Sequence, residues 1–323
     1  MKTKSAHIFK SSFEEDVYKG LMSFPKKLSS KYIYDSEGDK LFQQIMQLPE
    51  YYLTRCEYEI LNTEKTNICK AFDTTQEGFD LIELGAGDGT KTKVLLKELT
   101  TGNYSFTYKP IDISQNALDQ LQASIHTELP KVAIAPQQGM YFEVLKQLKS
   151  ISSRKKVIMM LGSNLGNLPH PMAIDFLKQI KEAMNPNDLL FMGLDMKKHP
   201  QQIINAYNDP KGVTAAFNKN LLHRINKELD ANFNLANFMH WETYDPETGT
   251  AKSYLVATKK QEVDINALDM KVKFDEWETI HTEISQKYDD TIVKWLANQT
   301  GLNLVNSFTD AKKCFKNYLF KSS

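Results

Sequence analysis

Three glycines at alternate positions, Gly85, Gly87 and Gly89, follow a short apolar run and precede an amphipathic one. Glycine at such a junction lets the backbone turn tightly and approach a ligand closely, with a helix N-terminus behind it. Glu83 stands just before the turn, and Asp112 closes the next apolar run. In an open α/β sheet, a carboxylate at the end of the second strand is placed to accept hydrogen bonds from two ribose hydroxyls. The chemistry favoured is therefore recognition of a nucleoside-bearing ligand.

Two families of ligand compete for such a loop. A dinucleotide-binding turn has its third glycine three residues after the second and its acidic residue about 20 residues further on. Here Gly89 follows Gly87 by two, and Asp112 lies 23 residues past Gly89 (112 − 89). The acidic spacing separates nothing, but the glycine pattern and Glu83 favour the form that binds S-adenosylmethionine in methyltransferases. No metal chemistry competes. The 7 histidines show no ligand spacing. His281-Thr282-Glu283 has the H-x-E of zinc deaminases without the Pro-Cys-x-x-Cys that should follow. Cys56, Cys69 and Cys314 fall at unrelated spacings, giving neither a disulfide framework nor a metal site.

The elements that must position the loop are strands alternating with helices, which predicts a parallel sheet. Strands are expected at residues 79–84, 105–113, 132–135, 156–161 and 189–194, with helices at 91–99, 114–129 and 171–184. The run at 156–161 is fully apolar, of the kind buried on both faces. The rhythm then breaks. Residues 206–229 read as a helix, and 240–244 and 252–258 as strands joined by Asp245-Pro246-Glu247-Thr248-Gly249, a good hairpin sequence. One further alternating run spans 270–285. A helix at 291–299 and strands at 302–308 and 314–320 would add an antiparallel pair to the sheet edge. The N-terminal residues 12–31 and 37–48 read as short helices, broken at Leu48-Pro49-Glu50-Tyr51-Tyr52. The expectation is a Rossmann-like α/β sheet, residues 61–197 plus 286–323, with a second, inserted α+β domain built from 1–60 plus 198–285.

Composition narrows the partner. Lys+Arg and Asp+Glu both total 40 among 323 residues, so no net field is available to hold nucleic acid or an anionic membrane. The first twenty residues carry charge throughout and no apolar run of the secretory kind, and no stretch is long enough to span a bilayer. A reduced, cytoplasmic monomer acting on a small molecule is expected.

A resemblance becomes specific in four further stretches. They are Tyr34-Asp35 with Gly38 and Leu41-Phe42, leading to Leu48-Pro49-Glu50-Tyr51-Tyr52-Leu53-Thr54-Arg55; Leu161-Gly162-Ser163-Asn164-Leu165-Gly166-Asn167-Leu168; Ala206-Tyr207-Asn208-Asp209 running into Gly212-Val213-Thr214-Ala215-Ala216-Phe217-Asn218; and Thr282-Glu283-Ile284-Ser285. With the glycine loop, the chain resembles, over essentially its whole length, the histidine Nα-methyltransferases of ergothioneine biosynthesis. That resemblance implies a class I methyltransferase sheet carrying a substrate domain. It implies successive transfer of three methyl groups to the α-amino group of L-histidine, without a metal. By resemblance, Asn167 and Tyr207 hold the substrate carboxylate, and Glu283 and Ser285 hold the imidazole. Tyr51 meets the ring's other side, Gly162 lets the substrate approach, and Tyr34 and Phe42 flank the reacting amine. Gly85, Gly87, Lys91, Asp112, Met140 and Tyr141 belong to the S-adenosylmethionine site.

These residue types suit the chemistry. A carboxylate and a hydroxyl two apart on a strand project from one face and can grip a ring N–H. Aromatic faces accommodate the quaternary ammonium that forms. Each residue also has an ordinary reading: Glu283 as a solvated strand carboxylate, Asn167 as a partner for loop backbone, Tyr207, Tyr51 and Tyr52 as core. Two positions depart from the family pattern. Met140-Tyr141 stands where an aspartate before an aromatic commonly meets the adenine amino group, and Ser253 aligns with a larger apolar residue at the wall of the imidazole pocket. Ser253 keeps open an alternative, N-methylation of another amino acid or small amine on the same scaffold. Met140 keeps open a non-catalytic binding protein. Asn164-Leu165-Gly166-Asn167 lacks the Asn/Asp-Pro-Pro-aromatic motif of DNA and glutamine methyltransferases.

Overall fold

The structure, a computed structural model, describes residues 9–73 and 77–322. In chain order its strands are β1 (Lys26–Lys27), β2 (Phe79–Leu84), β3 (Phe106–Asp112), β4 (Gln137–Gln138), β5 (Lys156–Met160), β6 (Leu189–Asp195), β7 (Phe238–Asp245), β8 (Thr250–Ala257), β9 (Gln261–Ile265), β10 (Met270–Phe274), β11 (Thr279–Gln286), β12 (Leu302–Thr309) and β13 (Phe315–Ser322). Its helices are α1 (Ser12–Leu21), α2 (Ser36–Gln47), α3 (Leu53–Phe72), α4 (Thr92–Thr101), α5 (Gln115–Glu128), α6 (Tyr141–Ile151), α7 (His170–Ala183), α8 (Pro200–Tyr207), α9 (Val213–Leu229) and α10 (Asp290–Thr300). The chain separates into two compact units. One is Leu53–Lys197 with Gln286–Ser323, the other the described residues up to Tyr52 with Lys198–Ser285. Among the described residues no helix is long and apolar enough to cross a membrane.

The first unit is a mixed α/β fold around a sheet of order β12-β13-β6-β5-β2-β3-β4. β2 pairs in parallel with β3 and β5, and β5 with β6, whereas β13 runs antiparallel to β6 and to β12. Every residue of β2, β5 and β6 is buried, as a parallel strand covered on both faces requires. On one side Ile82, Ile158 and Leu190 meet Leu145 and Leu148 of α6, Leu177 and Ile180 of α7 and Leu296 of α10. Side chains start two of the covering helices. Ser114 accepts from the Ala117 N–H to cap α5, and Asp289 accepts from the Ile292 N–H to cap α10. The strand order reverses between β2 and β5, and open α/β sheets bind ligands outside the carboxyl ends of strands at that switch point. Two glycine-bearing loops leave the sheet there, one after β2 and one after β5.

The second unit holds a sheet of order β1-β11-β8-β7 and a separate β9–β10 hairpin. β7 and β8 form the expected hairpin, and Gly249 takes φ +74 in its loop. Asn220 on α9 donates to the Ile33 carbonyl at 3.0 Å and to Asp35 at 2.8 Å. Asp35 in turn accepts from the N–H groups of Glu37 and Gly38 to start α2.

Several expectations are corrected. Residues 132–135 are not a strand: they touch β3 at a single bridge, Tyr108 with Ile134, and the regular ladder is β4, which pairs with Ile111 and Asp112. The helix expected over 206–229 is two, because Asp209 accepts from Val213 and Thr214 N–H groups and restarts the chain as α9 after Gly212, at φ +74. The run at 270–285 is β10 and β11, separated by a turn in which Trp277 has φ +69. Residues 12–31 hold α1, the two-residue β1 and a 3-10 turn at Ser30–Tyr32. The helix α6 and the strand β9 were not foreseen. The boundary expected at residue 60 falls inside α3, which groups with the sheet unit as a whole.

Candidate active site

In the sheet unit, Gly85, Gly87 and Gly89 all have positive φ, at +71, +55 and +71, where a side chain would be strained. A Cβ on Gly85 would stand 2.7 Å from the Tyr141 hydroxyl, and one on Gly89 2.6 Å from Leu121 Cδ1. Around a Cβ on Gly87 there is nothing within 4 Å. The loop is thus pinned at its ends and open at its middle, a cradle that a ligand can enter.

Asp112 lies at the carboxyl end of β3, half-buried, with one oxygen accepting from the Ser114 N–H at 2.8 Å. Burial first, then the nearby Asp112 and Glu83 carboxylates, push the Tyr141 phenol up to about 12. Met140, the residue before α6, is 60% exposed, so any contact it makes with a ligand is at the solvent rim. Beneath the loop, Glu83 is buried and accepts from the Thr92 hydroxyl at 2.7 Å and the Tyr108 hydroxyl at 2.5 Å. Its burial raises the carboxyl to about 7. Lys91 reaches Glu57 on α3 at 2.6 Å, and the Gly162 N–H donates to the same carboxylate oxygen at 2.8 Å. Gly162, expected beside the acceptor, therefore belongs to the sheet unit, at φ +80 after β5. Asn167 ends the 3-10 turn Asn164–Asn167 of that same loop and is half-buried.

The second unit gathers five rings. Tyr34 packs edge-on against Phe42 and Phe217 with centroids 5.6 and 5.3 Å apart, and Phe42 lies 5.9 Å from Phe217. Tyr51 stands 6.3 Å from Phe42 and 6.1 Å from Tyr207. The hydroxyls of Tyr207, at the end of α8, and Ser285, on β11, share a hydrogen bond of 2.9 Å, both residues being buried. Tyr34 is 38% exposed, yet desolvation, followed by Glu283, Tyr51 and Tyr207, holds its phenol well above the ordinary 10.0. On β11 burial alternates from Thr279 to Thr282 and then lapses, Glu283 and Ile284 both being half-buried. Glu283 and Ser285 lie two apart on this strand, which puts them on one face wherever the pleat is regular, Ser285 being the more buried.

Ser253 is buried, and its hydroxyl donates to the buried Glu242 carboxylate at 2.7 Å, across the β7–β8 pair. The hydroxyl at this position is thus bound to the neighbouring strand.

Tyr34, Phe42, Tyr51, Tyr207, Glu283 and Ser285 are thus in one unit, and Gly85, Gly87, Lys91, Asp112, Met140, Tyr141, Gly162 and Asn167 in the other. Sequence reasoning missed Phe217 as a ring of the cluster, Glu242 behind Ser253, and Glu57 behind Lys91. Phe217 had a signal, since it lies in one of the stretches that carry the resemblance. Glu57 had none. The cysteine spacing was also uninformative about proximity: the ligand atoms of Cys56, Cys314 and Asp310 lie within 4.8 Å of one another. The Asp310 oxygens already accept from the Lys312 and Phe315 N–H groups, which close the turn into β13.

A family profile described as histidine-specific methyltransferase, SAM-dependent, matches residues 13–322. The chain belongs to this family. Its cofactor is S-adenosylmethionine, and the open cradle at Gly87 with Asp112 beyond it fits that molecule's nucleoside. Among curated relatives, the histidine N-alpha-methyltransferase of Mycobacterium tuberculosis is 36% identical over 93% of this chain and 91% of its own. Ergothioneine biosynthesis protein 1 of Neurospora crassa is 28% identical over 92% of this chain, which spans 33% of that longer protein. A 4-dimethylallyltryptophan N-methyltransferase of Trichophyton verrucosum is 26% identical over 94% of this chain and 92% of its own.

Proposed function

We propose that this methyltransferase transfers methyl groups one after another to the α-amino group of L-histidine, giving the Nα-trimethylated product made on the route to ergothioneine. The observation that carries the reading is the cluster of Tyr34, Phe42, Tyr51, Tyr207 and Phe217 in one compact unit with Glu283 and the Tyr207–Ser285 hydroxyl pair. Aromatic faces suit an amine that becomes a permanent cation, and a carboxylate beside hydroxyls suits an imidazole.

S-adenosylmethionine supplies a methyl carbon activated by its sulfonium. The protein's task is then to present an uncharged amine in line with that carbon. An α-amino group titrates at about 8, so no strong base is needed. A phenol held above its ordinary range stays protonated at neutral pH. Tyr34 therefore orients the amine as a hydrogen-bond partner, with Phe42 against it, and the proton leaves to water. Within the second unit, Tyr207 takes the substrate carboxylate, and Glu283 and Ser285 take the imidazole, with Tyr51 on its other side. Gly85, Gly87, Lys91, Asp112, Met140 and Tyr141 hold the cofactor.

A site of this kind rejects phenylalanine, because its buried polar groups would lose their partners. The buried Ser253–Glu242 pair motivates the second reading, N-methylation of a different amino acid or small amine. One experiment separates the two. The purified protein is incubated with S-adenosylmethionine and each of the twenty amino acids, and mass gains of one, two and three methyl groups are sought. Gain on histidine alone supports the first reading, and gain elsewhere but not on histidine overturns it. Glu283→Ala should abolish histidine binding while cofactor binding persists; equal weakening of both would make Glu283 structural.

A further inference from the structure

Glu57 is a fully buried carboxylate on a helix, and nothing in its local sequence explains it. A charge so placed survives only where donors replace the water it has lost. Three do so. The Lys91 ammonium and the Gly162 N–H both donate to one oxygen, at 2.6 and 2.8 Å, and the Asn317 amide donates to the other at 3.0 Å. These donors come from the loop after β2, the loop after β5 and the strand β13, so a single side chain ties together the two loops of the switch point. The neighbouring strand is shaped around it: a Cβ on Gly193 of β6 would fall 1.9 Å from the Glu57 oxygen. Lys91, by contrast, keeps 23% of its side chain accessible and has further donors to offer.

We infer that Glu57 is a positioning residue for cofactor binding: it holds the Lys91 ammonium, and through Gly162 the loop after β5, in the arrangement that receives the anionic end of S-adenosylmethionine. The only anion that molecule carries is its methionine carboxylate, and a cation fixed in place by a buried partner binds it without first having to be ordered. The inference rests on Lys91 belonging to the cofactor site.

The test is a double-substitution cycle read by calorimetric titration with S-adenosylmethionine, alongside steady-state kinetics. Glu57→Gln should weaken cofactor binding about tenfold, raising KM for S-adenosylmethionine while kcat at saturation is kept. Lys91→Met should weaken it at least as much, and the double variant should lose clearly less than the sum of the two single losses, because the two residues are coupled. Glu57→Asp, too short to reach both loops at once, should restore little. Asn317→Ala is the fallback if Glu57→Gln does not fold; it frees only the far oxygen and should weaken cofactor binding about threefold. Unchanged affinity in Glu57→Gln with weakened Lys91→Met, or additive losses in the double variant, overturns the role of Glu57 while leaving Lys91 in the site. Unchanged affinity in Lys91→Met instead removes Lys91 from the cofactor site, and the role of Glu57 falls with it.

Discussion

Replacing Glu83 by glutamine isolates the cost of keeping a carboxyl group beneath the glycine loop. The side chain is fully desolvated, and that burial outweighs the Thr92 and Tyr108 hydrogen bonds and the nearby Lys91 charge, while Glu57 adds to the rise. The group therefore titrates at about 7 in the folded protein, against an ordinary 4.5. Between those two values the folded protein holds a proton that the unfolded chain has released, so stability falls as pH rises through the window. Each pH unit is worth about 1.4 kcal/mol, and the whole window amounts to about 3 kcal/mol. Glutamine cannot titrate. It keeps one oxygen for one hydroxyl, and its amide donates to the other. Urea unfolding of both proteins at pH 5 and pH 8 should show the wild type losing about 2–3 kcal/mol relative to Glu83→Gln on going to the higher pH. The substituted protein should be the more stable of the two at pH 8. Parallel stability curves would refute the reasoning, because they would mean that Glu83 is already ionised at pH 5.

Gly85→Ala should reduce affinity for S-adenosylmethionine at least tenfold in calorimetry, since the added Cβ meets the Tyr141 hydroxyl at 2.7 Å on a backbone at φ +71. Asp209→Ala removes the acceptor for the Val213 and Thr214 N–H groups, and denaturant unfolding should show a loss of about 1–2 kcal/mol. Lys287→Met leaves the fully buried Asp195 without the ammonium it meets at 2.9 Å, which should cost about 3–5 kcal/mol in the same assay.

The glycine loop was legible because the pattern that forms it is local. Alternate glycines, an apolar run before them and a carboxylate at the end of the next strand all fall between residues 79 and 112. The strands β2, β5 and β6 were legible for a related reason: a strand buried on both faces must be apolar throughout. Where a segment's state depends on pairing rather than on its own pattern, the reading failed. Residues 132–135 have the apolar character of a strand but meet β3 at one bridge, while Gln137–Gln138, with none of that character, forms the ladder. Helix α6 was not foreseen because Met140-Tyr141 reads as a loop, whereas Tyr141 opens the helix.

Sequence alone determined the kind of sheet, the glycine loop after its first long strand, the neutral charge that disfavours polyanions, and the family resemblance with its candidate acceptor residues. Those properties are written in neighbouring residues or in motifs kept in order along the chain. Only the tertiary structure decided that Tyr207 meets Ser285, 78 residues away, and that Phe217 completes the cluster around Tyr34 and Phe42. It alone showed Glu57, on a helix rich in charged residues, to be buried and bound to partners 34, 105 and 260 residues distant. A glutamate on a solvated face and one that organises a binding site look alike in sequence, because burial is set by what packs over the side chain.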